Sequence, residues 1–187
     1  MTKKSHAILS CVVLGLTVLL TACSDEKAAS PEKAAVVDQL APRYESTLAE
    51  GIDFKKHGYP SFLTEVAGVS GREDWGRWTD GNLGSAAKFR FNKPLPKKFV
   101  LELQANGIGG NVGQPIKIRV GSLEKTIIVK NWPDHSIYQV DFDEVASTDT
   151  IEITPPSPFL PRDANPKDPD TRKLGLGLVN LKIKTSN

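Results

Sequence analysis

Ala87-Lys88-Phe89-Arg90-Phe91, Phe99-Val100-Leu101-Glu102-Leu103-Gln104-Ala105 and Ile116-Lys117-Ile118-Arg119-Val120 each alternate apolar and polar side chains. Successive residues of a strand point to opposite faces, so this alternation gives each run one dry face and one wet face, as in antiparallel sheets. Turn residues close each run, at Asn92-Lys93-Pro94, Asn106-Gly107 and Gly121-Ser122. Further strand candidates lie at 124–130, 137–142 and 150–154, and Leu174 to Ile183 closes the pattern. Short strands at regular spacing with Gly, Pro and Asn between them predict an all-β fold, an antiparallel β-sandwich that is jelly-roll-like, over residues 50–187. In the last strand Leu174, Leu176 and Leu178 share one parity and Val179, Leu181 and Ile183 the other. That switch predicts either a bulge near Val179-Asn180 or a strand buried on both faces. Gly175 and Gly177 predict the close approach of another backbone or of an aromatic ring, with Trp75 or Trp78 as the candidate.

Outside this domain the chain reads differently. Lys3 and Lys4 precede 14 mostly apolar residues, Ala7 to Leu20, too few for a stable membrane span but suited to the apolar region of an export signal. The sequence Leu20-Thr21-Ala22-Cys23 resembles the lipobox of bacterial lipoproteins. The resemblance implies a signal peptide at 1–22, cleavage after Ala22, and a lipid-modified Cys23 as the membrane anchor. By the sorting pattern of such proteins, Ser24 implies the outer membrane, with the protein facing the periplasm. Cys11 leaves with the signal and Cys23 carries lipid, so no cysteine remains for a disulfide. Residues 23–49 read as a tether, partly helical or disordered, with Val36, Val37, Leu40, Tyr44 and Leu48 at roughly helical spacing interrupted by Pro42.

Charge narrows the partners. There are 24 basic and 22 acidic residues, and the excess of two equals Lys3 and Lys4, so the remaining chain is neutral. A neutral body without a basic stripe argues against nucleic acid.

A family resemblance rests on several pieces: Gly51-Ile-Asp-Phe54, Gly68-Val-Ser-Gly-Arg-Glu-Asp-Trp-Gly-Arg-Trp-Thr-Asp-Gly81, Pro94-Leu-Pro96, Gly113-Gln-Pro-Ile116, Pro155-Pro-Ser-Pro158 and Asp170-Thr-Arg-Lys-Leu-Gly-Leu-Gly-Leu178. Together, over about residues 51 to 184, they resemble the extracytoplasmic C-terminal domain of membrane phosphoglycerol transferases, enzymes that decorate osmoregulated periplasmic glucans. The resemblance implies the accessory module without the transferase's catalytic domain, and a lipid anchor in place of its membrane region.

Within this stretch Trp75-Gly76-Arg77-Trp78 admits two readings. Strand alternation sends Trp75 and Arg77 one way and Trp78 the other. One Trp then fills the core while the second, with Arg77 and Asp80, lines a site for a sugar face or a phosphate. In the other reading both Trp are core, and Arg77 pairs with Glu73, Asp80 or Asp170. Arg172 and Asp170 join the ligand-site candidates because they lie in the second closely matching piece. The loop from Pro155 to Arg172 carries Asp163, Asn165, Asp168 and Asp170, oxygen donors whose spacing does not match the EF-hand pattern and which read as solvated charge.

Catalytic signatures are lacking in the sequence. His57 and His135 stand alone in loops and read as surface residues. Ser122-Leu-Glu-Lys125 matches S-x-x-K only formally, at a turn and without downstream partners. No cofactor or metal is expected. The expected function is a non-catalytic, periplasm-facing accessory module that binds glycan or phosphoglycerol, with periplasmic glucan as the partner. The alternative is a structural module that docks on an envelope protein, and an enzyme ranks third.

Overall fold

The computed structural model describes residues 42–185; the signal peptide, Cys23 and most of the tether lie outside the described residues. Along the chain run β1 (Arg43–Tyr44), β2 (Ile52–Asp53), β3 (Tyr59–Pro60), β4 (Leu63–Ala67), β5 (Arg77–Asp80), β6 (Ala87–Phe91) and β7 (Phe99–Gly107). After a 3-10 turn at Gly109–Asn111 come β8 (Pro115–Val120), β9 (Leu123–Ile128), β10 (Ser136–Phe142) and β11 (Thr150–Thr154). The four-residue helix α1 (Pro161–Ala164) precedes β12 (Leu174–Lys184).

Ten of these strands build two five-stranded antiparallel sheets, which is the predicted sandwich. One sheet has the order β4-β6-β11-β8-β9. The other has the order β10-β7-β12-β2, with β5 also paired to β12. The period-two runs face inward as read: Phe89, Leu101, Leu103, Ile118 and Ile151 are all fully buried in one continuous core. Each such side chain contributes roughly 1.5–3 kcal/mol by leaving water. A register shift between Leu178 and Asn180 in the β12–β7 ladder is the predicted bulge, and the first six residues of β12 are also buried on both faces. It lets Leu178 and Leu181 both reach the core, although their separation is odd.

Two expectations change at the N-terminal edge. Residues 42–49 belong to the folded unit and not to the tether, so the domain boundary expected at residue 50 lies at or before Pro42. No helix forms there: β1 pairs in parallel with β3, and Leu48 packs against the core while its carbonyl accepts from the Ile183 N–H at 2.9 Å. Arg43 Nη1 donates to the Pro60 and Leu63 carbonyls. Gly58 makes this docking feasible, because a Cβ at that position would sit 1.5 Å from the Pro42 carbonyl oxygen.

The outer face of the β4-β6-β11-β8-β9 sheet is laced with ion pairs: Glu65 with Lys88 and Arg90, Arg119 with Glu152, and Lys117 with Glu124. Exposed pairs of this kind contribute little stability each and mark a solvated face. The outer face of the second sheet is different.

Candidate functional site

The site begins at a tight turn. Glu73 and Gly76 exchange backbone hydrogen bonds of 2.8 and 3.2 Å, closing a two-residue hairpin over Asp74 and Trp75 just before β5. Gly76 has φ +156°, and a Cβ there would lie 2.1 Å from the Leu178 carbonyl oxygen. The turn overturns the expected strand alternation. Trp75 is not in the strand, and it swings to the same side as Trp78, with ring centroids 5.0 Å apart and planes at 68°.

Two more aromatic side chains arrive from the loop between β9 and β10. Trp132 lies 4.6 Å from Trp75 and 5.6 Å from Trp78, centroid to centroid, and His135 stacks on Trp75 at 5.7 Å and 19°. All three tryptophans of the chain thus meet at one place. Trp78 is buried and forms the floor, while Trp75, Trp132 and His135 stay partly exposed. Gly177 makes room beneath them: a Cβ there would stand 3.1 Å from the far edge of Trp75 and 2.4 Å from Asn106 Oδ1. At Gly177 this is the close aromatic approach predicted for β12, and the ring is Trp75, whereas Gly175 makes room for Pro155 and Thr79.

Register places polar side chains beside the aromatic cluster. Across the sheet, Gly177 pairs with Asn106, Asn180 with Gln104 and Lys182 with Glu102, and β10 continues the last two rows with Ile137 and Gln139. These residues have the parity opposite to the buried Leu101, Leu103 and Ala105, so they form the outer face. Asn180 Nδ2 donates to Gln104 Oε1 at 3.0 Å, and Glu102 holds both Lys182 and Lys184.

A polar chain braces the platform edge. Trp75 Nε1 donates to Glu73 Oε2 at 2.8 Å, and Arg172 Nη1 donates to Glu73 Oε1 at 2.8 Å. The rest of the Arg172 fork grips Asp170 through Nε and Nη2 at 3.0 and 2.7 Å, a bidentate charge-assisted pair. The bonds from Arg172 hold the Asp170 carboxyl below its usual range. Arg172 and Asp170 therefore position Trp75 through Glu73.

Arg77 and Asp80 depart from expectation. Arg77 is only 4% exposed and points away from the platform. Neither Asp80 nor Asp170 pairs with it: its Nη2 donates to the Lys56 carbonyl at 3.1 Å and its guanidinium lies 4.7 Å from the Tyr59 ring centroid. Burial pushes the Tyr59 hydroxyl up to about 12. Asp80 is spent on backbone, accepting from the Asn82 and Lys173 N–H groups at 2.9 and 3.0 Å. Both are structural residues, because turn closure at Gly76 leaves Arg77 facing Tyr59 and Asp80 tying β5 to the start of β12.

His135 is likewise corrected. It is part of the aromatic cluster, with Nδ1 2.7 Å from Asn106 Nδ2, whereas His57 is exposed as read. Burial lowers the His135 pKa below the ordinary value near 6.5. A base whose folded pKa is depressed favours folding in its neutral form, so that contribution is complete above about 6.5 and is lost as pH falls. Proton NMR titration should place the His135 midpoint below 6.5; a midpoint at or above 6.5 contradicts the packing described.

The sequence reading missed Trp132, His135, Asn106, Gln104 and Asn180. Trp132-Pro133, a tryptophan in a turn-rich loop, is the one local feature that could have drawn attention to this end of the sheet. The loop oxygen donors do not converge: the Asp168 carboxylate and the Asn165 amide oxygen accept backbone N–H groups of their own turns. Among the described residues no group of three or more His, Cys, Asp or Glu is arranged to hold a metal. Among them, too, no helix is long and apolar enough to cross a membrane.

The comparisons with known proteins agree with the resemblance read from the sequence. Residues 37–185 match the family described as "Domain of unknown function (DUF7024)". Phosphoglycerol transferase I of Citrobacter koseri is 36% identical over 135 residues, which cover 72% of this chain and 17% of that protein. The figures are the same for Phosphoglycerol transferase I of Escherichia coli, 36% over 135 residues, 72% and 17%. The chain thus spans less than a fifth of the length of these curated relatives. Among solved structures, a variant of the family 29 carbohydrate-binding module CBM29-2 aligns with a TM-score of 0.46 at 12% identity, covering 72% of this chain and 89% of that one.

Proposed function

This chain belongs to the DUF7024 family, and from that premise we propose that it is a non-catalytic glycan-binding module held at the cell envelope by a lipid on Cys23. The carrying observation is the outer face of the β10-β7-β12-β5 sheet, where Trp75 and Trp132 adjoin the Gln104–Asn180 amide pair. Sugar recognition uses these parts: an aromatic face for the C–H side of a pyranose, and amides that both donate and accept for its hydroxyls. The similarity to phosphoglycerol transferase I, with the periplasmic-glucan setting that the family resemblance implies, supports a role at the envelope. On this reading the module supplies binding and a separate enzyme supplies the chemistry.

The protein-docking alternative has less support. Among the described residues the exposed large apolar side chains are Ile128 and Ile137, which stand on different sheets.

The test is calorimetric titration of the chain from Cys23 onward, carrying Cys23→Ser, against a panel of envelope glycans. At least one should bind, and Trp75→Ala should weaken it tenfold or more, as loss of one aromatic contact of roughly 1.5 kcal/mol implies. Unaltered affinity in Trp75→Ala would refute the assignment of the site. For the anchor, Cys23→Ser should release the full-length protein from the membrane fraction or leave its precursor uncleaved. Unchanged membrane partition together with unchanged processing contradicts the lipid reading. Ser24 supports the outer membrane, with the domain facing the periplasm, as the destination.

A further inference from the structure

Resting on the glycan reading, we infer that the site takes an uncharged stretch of glycan and holds no subsite for a phosphoglycerol group. Phosphate recognition in proteins needs a free cationic fork or amine, or clustered N–H donors, at the contact surface. The two arginines that the sequence offered as ligand candidates are unavailable, and Arg72 of the same turn pairs with Asp74 at 3.4 Å. Arg77 is buried facing Tyr59, on the far side of its strand from the platform. Arg172 is bound on one side by Asp170 and on the other by Glu73, so a second anion would meet two carboxylates in addition to the arginine.

The lysines nearby are mostly compensated too. Lys182 and Lys184 share the Glu102 carboxylate at 3.9 and 2.6 Å, and Lys130 pairs with Asp134 at 3.4 Å beside Trp132. Lys55, an exposed amine next to His135, has no ion pair among the described residues. One unpaired ammonium does not make a phosphate site.

The neutral chemistry, by contrast, is ordered. The Gln104 amide donates to the His135 carbonyl at 3.4 Å and accepts from Asn180, so both amides are fixed in orientation next to the platform. Asn180 Oδ1 retains acceptor capacity for a hydroxyl. Residues two apart on a strand are about 6.8 Å apart. The aromatic, amide and Glu102–Lys182 rows therefore extend over about 14 Å, long enough for more than one sugar ring.

The experiment titrates the Cys23→Ser chain from residue 23 with uncharged oligosaccharides and with the same oligosaccharides bearing phosphoglycerol, at low and high salt. The uncharged ligands should bind, with affinity changing less than about twofold with salt. Phosphoglycerol should leave affinity unchanged or weaken it severalfold, and Gln104→Ala should weaken the uncharged ligand about tenfold. A phosphoglycerol ligand that binds tenfold or more tighter, with the gain lost at high salt, overturns the inference and leaves the glycan reading standing. Binding of neither kind of ligand overturns both.

Discussion

Phe89→Ala is expected to destabilise the domain by about 3–5 kcal/mol, the range for removing a large side chain from a core that relaxes only in part. Phe89 has no exposed surface, sits centrally in β6 between Val66 of β4 and Ile151 of β11, and meets Phe54 edge-on at 5.7 Å. Phe54 follows β2 in the chain, so this contact joins the two sheets. The loss would be a large part of the roughly 5–15 kcal/mol available to an ordinary domain. Urea unfolding of the wild type and variant measures it. Phe89→Leu, which keeps most of the volume, should recover much of the difference, and a loss below about 1 kcal/mol for Phe89→Ala would contradict the packing described.

Gly76→Ala is the second large effect, and it couples stability to the site. The new methyl would stand 2.1 Å from the Leu178 carbonyl oxygen, a backbone atom within the β12 ladder that cannot turn aside as a side chain would. Relief requires the Glu73–Gly76 hairpin to open, at a cost on the order of 2–4 kcal/mol. Opening it also pulls Trp75 away from Trp78 and Trp132, so glycan affinity should fall together with the melting temperature. Trp75→Ala differs, losing binding with a smaller stability cost because its ring is only partly buried. A Gly76→Ala protein with wild-type melting and binding would show that the turn is not what holds the platform.

The sandwich was legible because its evidence is local. Alternation in 87–91, 99–105 and 116–120 needs only the pleat, and the change of parity after Leu178 pointed to the bulge that the β12–β7 register contains. Gly177 likewise announced a bulky neighbour, which is Trp75. What failed was whatever depended on a turn or on distant pairing. Trp75 and Arg77 share a parity only if residue 76 continues a strand, and Gly76 breaks it. The partner of Arg77 proved to be a carbonyl and a ring face, groups that no charge pattern advertises. Trp132 and His135 reach the site because β10 is the edge neighbour of β7, a matter of sheet order. The docked segment at 42–49 was missed because β1, β2 and β3 have two residues each, too few for any period to show.

Of all these measurements, the most direct for the central claim is the affinity of the soluble Cys23→Ser chain for uncharged oligosaccharides, compared between wild type, Trp75→Ala and Trp132→Ala. Binding by the wild type, with tenfold or greater losses in both variants while their circular dichroism keeps the β-rich form, is the predicted result. A wild-type chain that binds none of them, or variants that bind as the wild type does, would contradict it.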